Sequence, residues 1–285
     1  MNLQAQDHID LVNVYWRNSP LNQTPNSDGN RFNFDLFGAD LKIPVELNKR
    51  NALIIGSEYL HSRFTSNSGR IVVSSLSLQL GYQHKWNDGF RSLFMVIPKI
   101  SSHRLSNPLN TTFQMGGLVL NTKNRSDEFS WKFGLYYNEE FYGPLFVPLF
   151  GFDWKFRKSH RLRIIAPIDL EYVYTTSTKF KMRYGLRFIG VNASYQLQNN
   201  LYLDKADNNI WLFSDFYLTK NVVLHLKAGH SILRKYRIYT MGEKVTAKIG
   251  PSNINDDRPN TNPLFNEGWS FESRLTFRLG LTDRK

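Results

Sequence analysis

The sequence predicts an all-β fold, a transmembrane antiparallel up-and-down β-barrel, most simply of 14 strands, with 12 as the variant count and both termini periplasmic. Three observations predict it. Apolar residues recur with period two almost everywhere, which is the strand period, and no stretch of 3.6 period reads as an amphipathic helix. Short and long connections alternate along the chain, as periplasmic turns and external loops do in outer-membrane barrels. Nearly every strand carries the same apolar row, with Trp86, Trp131, Trp154 and Trp269 at strand ends, where interfacial aromatic girdles sit.

The elements follow in order. The segment near 8–16 is the first strand; left outside the barrel, it gives the 12-strand variant. Phe32, Phe34 and Leu36 open the second, and the apolar row then jumps to Ala39, Leu41, Ile43 and Val45. One inserted residue flips the faces of a strand, so the jump predicts a β-bulge. In 75–86, Leu76, Leu78, Leu80 and Tyr82 alternate with Ser75, Ser77, Gln79 and Gln83; the first set is expected to face lipid and the second a wet lumen. The rows 129–138 and 150–157 repeat the pattern, and Pro167 splits 160–175 into a hairpin, which the even strand count requires. After Phe188 the row jumps again, to Ile189, Val191, Ala193 and Tyr195, and a second bulge is expected there. The rows 222–228 and 269–281 complete the set, while 52–64, 91–104 and 209–219 are mixed. Tight turns are expected at 48–50, 87–89, 123–127, 157–160, 175–178 and 219–221. Longer loops are expected at 17–30, 66–70, 106–110, 139–147, 198–208 and 241–265.

Composition narrows the classes. The 285 residues are 41% hydrophobic, and the mean hydropathy is −0.42. No window approaches the ~18 consecutive apolar residues of a membrane helix. That excludes helical spans but not a barrel, whose alternation keeps average hydropathy low. The absence of cysteine excludes disulfide frameworks and thiolate metal sites. Leu3-Gln4-Ala5 resembles the small-residue end of a signal cleavage site, so 1–6 read as a residual tail and 7–285 as one barrel domain. The alternative architecture is a soluble all-β sandwich. Its strands are typically about 5–6 residues, shorter than the rows seen here.

Two segments carry a family resemblance. "YYNEEFYGPLFVPLFGFDWKFRKSHRLRIIAP" (136–167), followed by "WLFSDFYLTKNVVLHLKAGHS" (211–231), resembles the uncharacterised outer-membrane β-barrel family of Bacteroidota, a domain of unknown function. The resemblance implies an outer-membrane barrel of a Gram-negative bacterium with no established activity. It implies no catalytic residues.

The formal net charge is +12, and its placement matters more than its sum. The inner row holds Lys85, Lys132, Lys155, Arg161, Arg163, Lys179, Lys181, Arg183, Arg187, Lys227, Lys235, Arg237, Arg274 and Arg278, against Asp153, Asp169, Glu171 and Glu272. Lys179, Lys181, Arg183 and Arg187 share one face of one strand and are the sharpest part of the signal. Such a wall favours anions in a water-filled lumen. The competing reading is that these groups pair with acids and plug a narrow barrel.

The expected function is therefore a passive channel or binding barrel for small anionic solutes. The alternative is a structural scaffold that docks an envelope partner through its external loops. A lipid-modifying enzyme would need a Ser–His pair on the lipid face, and Ser214 or Ser273 with His230 is the candidate, out of register. No cofactor or metal is expected, since the histidines lack metal spacing. The expected partners are outer-membrane lipid and lipopolysaccharide, a small anion and an envelope protein. Nucleic acid is not expected, because the charge is spread along walls.

Overall fold

The computed structural model describes residues 8–23, 31–66, 69–176, 182–250, 252–259 and 267–280. The strands are β1 (His8–Gln23), β2 (Arg31–Glu46), β3 (Asn51–Ser66), β4 (Gly69–Asn87), β5 (Phe90–Ser102), β6 (Phe113–Asn124), β7 (Phe129–Glu140), β8 (Gly143–Arg157), β9 (His160–Ala166), β10 (Asp169–Thr175), β11 (Met182–Gln196), β12 (Leu201–Tyr217), β13 (Val222–Thr240), β14 (Ala247–Ile249), β15 (Ser252–Ile254) and β16 (Trp269–Gly280). One helical turn, α1 (Leu109–Thr112), follows β5. Neighbours in sequence pair antiparallel from β1 to β13, and β16 closes the ring between β13 and β1. β14 and β15 form a small accessory hairpin, so the closed wall has 14 strands.

The wall presents an apolar outer surface. Every barrel strand except β9 carries exposed large apolar residues on its outward row, among them Val14, Phe37, Leu80, Val96, Leu135, Leu212 and Leu275. An apolar belt around a closed barrel is the surface a bilayer solvates, and water does not. Leu76, Leu78, Leu80 and Tyr82 lie on it, while Ser75 and Ser77 are buried inside. Trp86, Trp131 and Trp154 face outward near the end where β1 starts, and Trp269 faces outward at the opposite end.

Both phase jumps have a different origin from the bulges expected. β2 pairs with β3 in continuous register from Phe32 to Glu46, and β11 with β12 from Met182 to Gln196. Along β2 the inward row is Phe34, Leu36, Gly38, Asp40 and Lys42. Along β11 it is Arg183, Gly185, Arg187, Ile189, Val191, Ala193 and Tyr195. No strand flips. The lumen itself changes from polar to apolar at that level while the opposite row turns polar (Asn33 and Asp35 on β2, Asn192 and Ser194 on β11), so the apolar row changes sides without a bulge. Gly38 lies at the boundary, where a Cβ would stand 2.2 Å from the Tyr15 ring.

The half of the lumen away from the termini is therefore packed, not wet. Phe34, Phe64, Val73, Tyr195, Leu203 and Tyr236 form a buried cluster drawn from opposite walls. The Phe34 and Phe64 rings stand 5.0 Å apart, and Phe64 meets Tyr236 edge-on at 5.3 Å. Aromatic pairs at such spacings add to the burial itself. A second cluster joins Tyr142, Leu145, Val147, Leu149, Tyr202, Tyr239 and Val245.

A short hairpin explains how the walls meet. The turn at Pro167 falls partway up the wall, leaving β9 and β10 only seven residues long each. Above it β11 has no β10 to pair with and crosses to the far wall. Gln196 bridges Ser102 of β5, His103 N donates to Gln196 O at 2.8 Å, and Ser194 Oγ donates to Glu140 at 2.6 Å. β8 loses its β9 partner at the same level. β14 takes that place, with Lys248 beside Leu145 and Ile249 beside Phe146 in a parallel pairing. Gly250 N donates to Phe146 O at 2.9 Å. The buried edge is thus covered by a strand borrowed from the 241–268 connection. Arg258 anchors the same connection: it reaches Asp204, stacks 4.1 Å over Tyr239, and holds the Asp256 carboxyl down at about 2 through its hydrogen bonds.

The expected loops at 17–30, 139–147 and 198–208 are shorter than supposed. β1 runs to Gln23, β7 and β8 flank a two-residue turn, and β12 starts at Leu201.

Candidate functional site

The polar half of the lumen, beside the strand ends His8 and Gly280, holds a cavity of about 330 Å3. Its walls come from β1, β2, β9, β10, β11, β12, β13 and β16. Eight cationic side chains line it (Lys42, Arg161, Arg163, Arg183, Arg187, Lys227, Arg274 and Arg278) against four carboxylates (Asp10, Asp40, Glu171 and Asp215). Two larger concavities, of about 850 and 690 Å3, lie on the outer surface, where their apolar lining matches acyl chains.

The strand period puts these charges on one face, and register places them against each other. Glu272 is shared by Arg17 at 2.7 Å, Lys227 at 2.8 Å and Arg274 at 3.0 Å. Asp215 takes Arg183 at 3.2 Å, His225 at 2.5 Å and Arg278 at 3.8 Å. Asp169 takes Arg163 at 3.2 Å and Arg187 at 2.8 Å, and Asp153 takes Arg161 at 2.7 Å and Lys132 at 3.7 Å. Each of these carboxylates answers more than one cation, although Arg163 also reaches Glu171 at 2.6 Å and Arg278 reaches Asp10 at 2.5 Å, and the cavity lining keeps more cations than carboxylates. Lys42 lines the cavity and makes no ion pair among the described residues. Cation–π contacts take up part of the excess: Arg274 lies 4.4 Å over Tyr15 and Arg17 4.8 Å over Trp211.

Of the basic row, Arg183, Arg187, Lys227, Arg274 and Arg278 all face this cavity. Lys179 and Lys181 lie outside the described residues. Lys235 and Arg237 do not belong to the inner row. A bulge opposite Asn208 and Asn209 shifts the β13 register between Ser231 and Leu233, which turns Lys235 outward and Arg234 inward onto Asp207 at 3.4 Å. Sequence reasoning missed Arg17, Lys42, Asp10, Asp215 and Lys205. Arg17 and Lys205 fall in the loops expected at 17–30 and 198–208, Asp215 falls in the mixed stretch 209–219, and Asp10 and Lys42 lie on strands whose polar row carried no expectation. Lys205 sits 4.7 Å over the Phe34 ring.

The lipid-face Ser–His pair is not assembled. Ser214 and Ser273 both sit opposite Leu226, whereas His230 sits opposite Ile210 and Trp269. Among the described residues, no group of His, Cys, Asp and Glu is placed to hold a metal.

A closed 14-strand wall, an apolar outer belt and a charged lumen cavity define a membrane-spanning β-barrel. Residues 26–277 match the family described as "Domain of unknown function (DUF6268)", and the chain belongs to that family. Among solved structures, the chain is similar to the COG4313 outer membrane channel from Pseudomonas putida F1, at a TM-score of 0.52 and 11% identity over 96% of both chains. It is also similar, more distantly, to a deltaS2 mutant of the TodX monoaromatic hydrocarbon channel (TM-score 0.48, 8% identity, 95% of this chain and 90% of that one). The NanC porin matches at TM-score 0.36 and 10% identity, over 94% of this chain and all of that one (100%). These likenesses concern the fold. No curated protein matches the chain.

Proposed function

We propose that the protein lies in the outer membrane of a Gram-negative bacterium and binds small anionic solutes in its basic lumen cavity, which opens toward the periplasm. The observation that supports this is a cavity lined by eight cations, which the four carboxylates of the lining, with Asp153, Asp169 and Glu272 behind them, do not fully offset. In a narrow cavity with low-dielectric walls such an excess attracts anions more than it would in open water. The aromatic layer above the cavity blocks straight passage, so transport requires that layer to open. Purified protein in detergent should bind small anions by calorimetry. In planar bilayers, Phe34→Ala combined with Tyr236→Ala should raise conductance, with anions preferred. Arg183→Glu with Arg187→Glu should lower or reverse that preference. Conductance that stays cation-selective or indifferent to charge, together with absent anion binding, defeats the reading.

The packed half of the lumen favours a second reading, a scaffold barrel that engages an envelope partner through the 241–259 connection. Stoichiometric co-purification of a protein partner, lost on removing 247–254, would support it over the first.

A further inference from the structure

We propose that Asp215 and His225 make the cavity selective for a protonated oxyanion of the hydrogenphosphate class over a fully deprotonated one such as sulfate. The inference rests on the anion-binding reading and adds what the anion must carry.

Asp215 and His225 are register partners on β12 and β13. His225 Nδ1 stands 2.5 Å from Asp215 Oδ1. The carboxylate also faces the guanidinium groups of Arg183 and Arg278, at 3.2 and 3.8 Å. Flanked in this way it accepts and does not donate, so the hydrogen of the His–Asp contact sits on Nδ1. The tautomer is thereby set, and Nε2 carries the lone pair. Nε2 is buried and has no hydrogen-bond partner among the described residues. Several buried polar atoms lack a partner among the described residues, and Nε2 is the one acceptor among them that belongs to a side chain lining the cavity.

The surroundings say which ligand. His225, Asp215, Arg183, Lys227 and Arg278 line one cavity. The three cations attract an anion, and Nε2 asks that anion for a hydrogen. Hydrogenphosphate offers charged oxygens and an acidic O–H on one small tetrahedral ion. Sulfate has the shape and the charge but no hydrogen to give, so it would set an oxygen lone pair against that of Nε2. A buried acceptor left facing an acceptor is the kind of mismatch by which polar sites reject close analogues.

The test compares inorganic phosphate and sulfate by calorimetry on the intact barrel in detergent, at about pH 7.5, where an ordinary imidazole is neutral. Phosphate should bind about tenfold or more tightly, the usual worth of a hydrogen bond to a charged group. His225→Phe should retain sulfate binding and lose the preference. Asp215→Asn serves as the second variant, since its amide donates to Nδ1, moves the imidazole hydrogen to Nε2 and turns the preference toward sulfate. Heat-modifiable migration confirms that each variant folds. Equal affinities in the unaltered protein, or a preference that survives both substitutions, overturn the inference while leaving the anion-binding reading in place. If neither anion binds, both fall.

Discussion

Glu272 shows how a lumen side chain can be structural and still shape a binding cavity. Its carboxylate is buried and serves Arg17, Lys227 and Arg274. Taking an ion from water is costly, and good geometry with several partners offsets that cost. Removing the shared anion strands three cations, so Glu272→Ala is expected to destabilise the fold by roughly 3–5 kcal/mol. Arg274→Met leaves two of the three cations paired and should cost less. Urea-dependent loss of heat-modifiable migration measures both, and equal losses would show that Glu272 is not the shared anchor.

At the scale of elements, the short β9–β10 hairpin is the feature from which much else follows. It frees the upper half of β11 to cross the lumen, and it strips the upper half of β8 of a partner. The β14–β15 hairpin then supplies the missing edge. Deleting 247–254 should leave the barrel closed, because β8 still pairs with β7 along its length and with β9 below the Pro167 turn. Amide exchange on β8 around Leu145–Val147 should accelerate. Unchanged protection there would mean that the edge is covered by something else. The bulge in β13 works at the same scale: one extra residue between Ser231 and Leu233 exchanges Lys235 for Arg234 as the inward charge. Its sequence signature is weak, since Ile232 and Leu233 are both apolar and neither marks a face.

At the scale of the whole molecule, inside and outside are defined by two different solvents. Leu80 faces outward at 47% exposure, and Gln83 on the same strand faces the lumen. Leu80→Arg puts a charge against hydrocarbon and should cost about 2–4 kcal/mol near the bilayer midplane. Gln83→Arg adds one more cation to a polar wall and should cost less. Folding into lipid vesicles at graded urea compares the two, and a reversed order would invert the assignment of faces.

The closed barrel was legible in the chain because alternation is a local property. Each strand announces two faces residue by residue, and tight turns such as Asn87-Asp88-Gly89 mark the ends. The Pro167 split and the outward aromatics were readable for the same reason. The filling of the lumen was not. Phe34, Tyr195 and Tyr236 lie far apart in sequence and meet only because β11 leaves its neighbour and crosses to the opposite wall. The same holds for Asp215, whose place among Arg183, His225 and Arg278 depends on three strand registers at once. Period two assigns a side chain to a face. Whether the inward face meets water or another wall is decided by closure of the sheet and the crossing of β11, long-range events that no local pattern encodes.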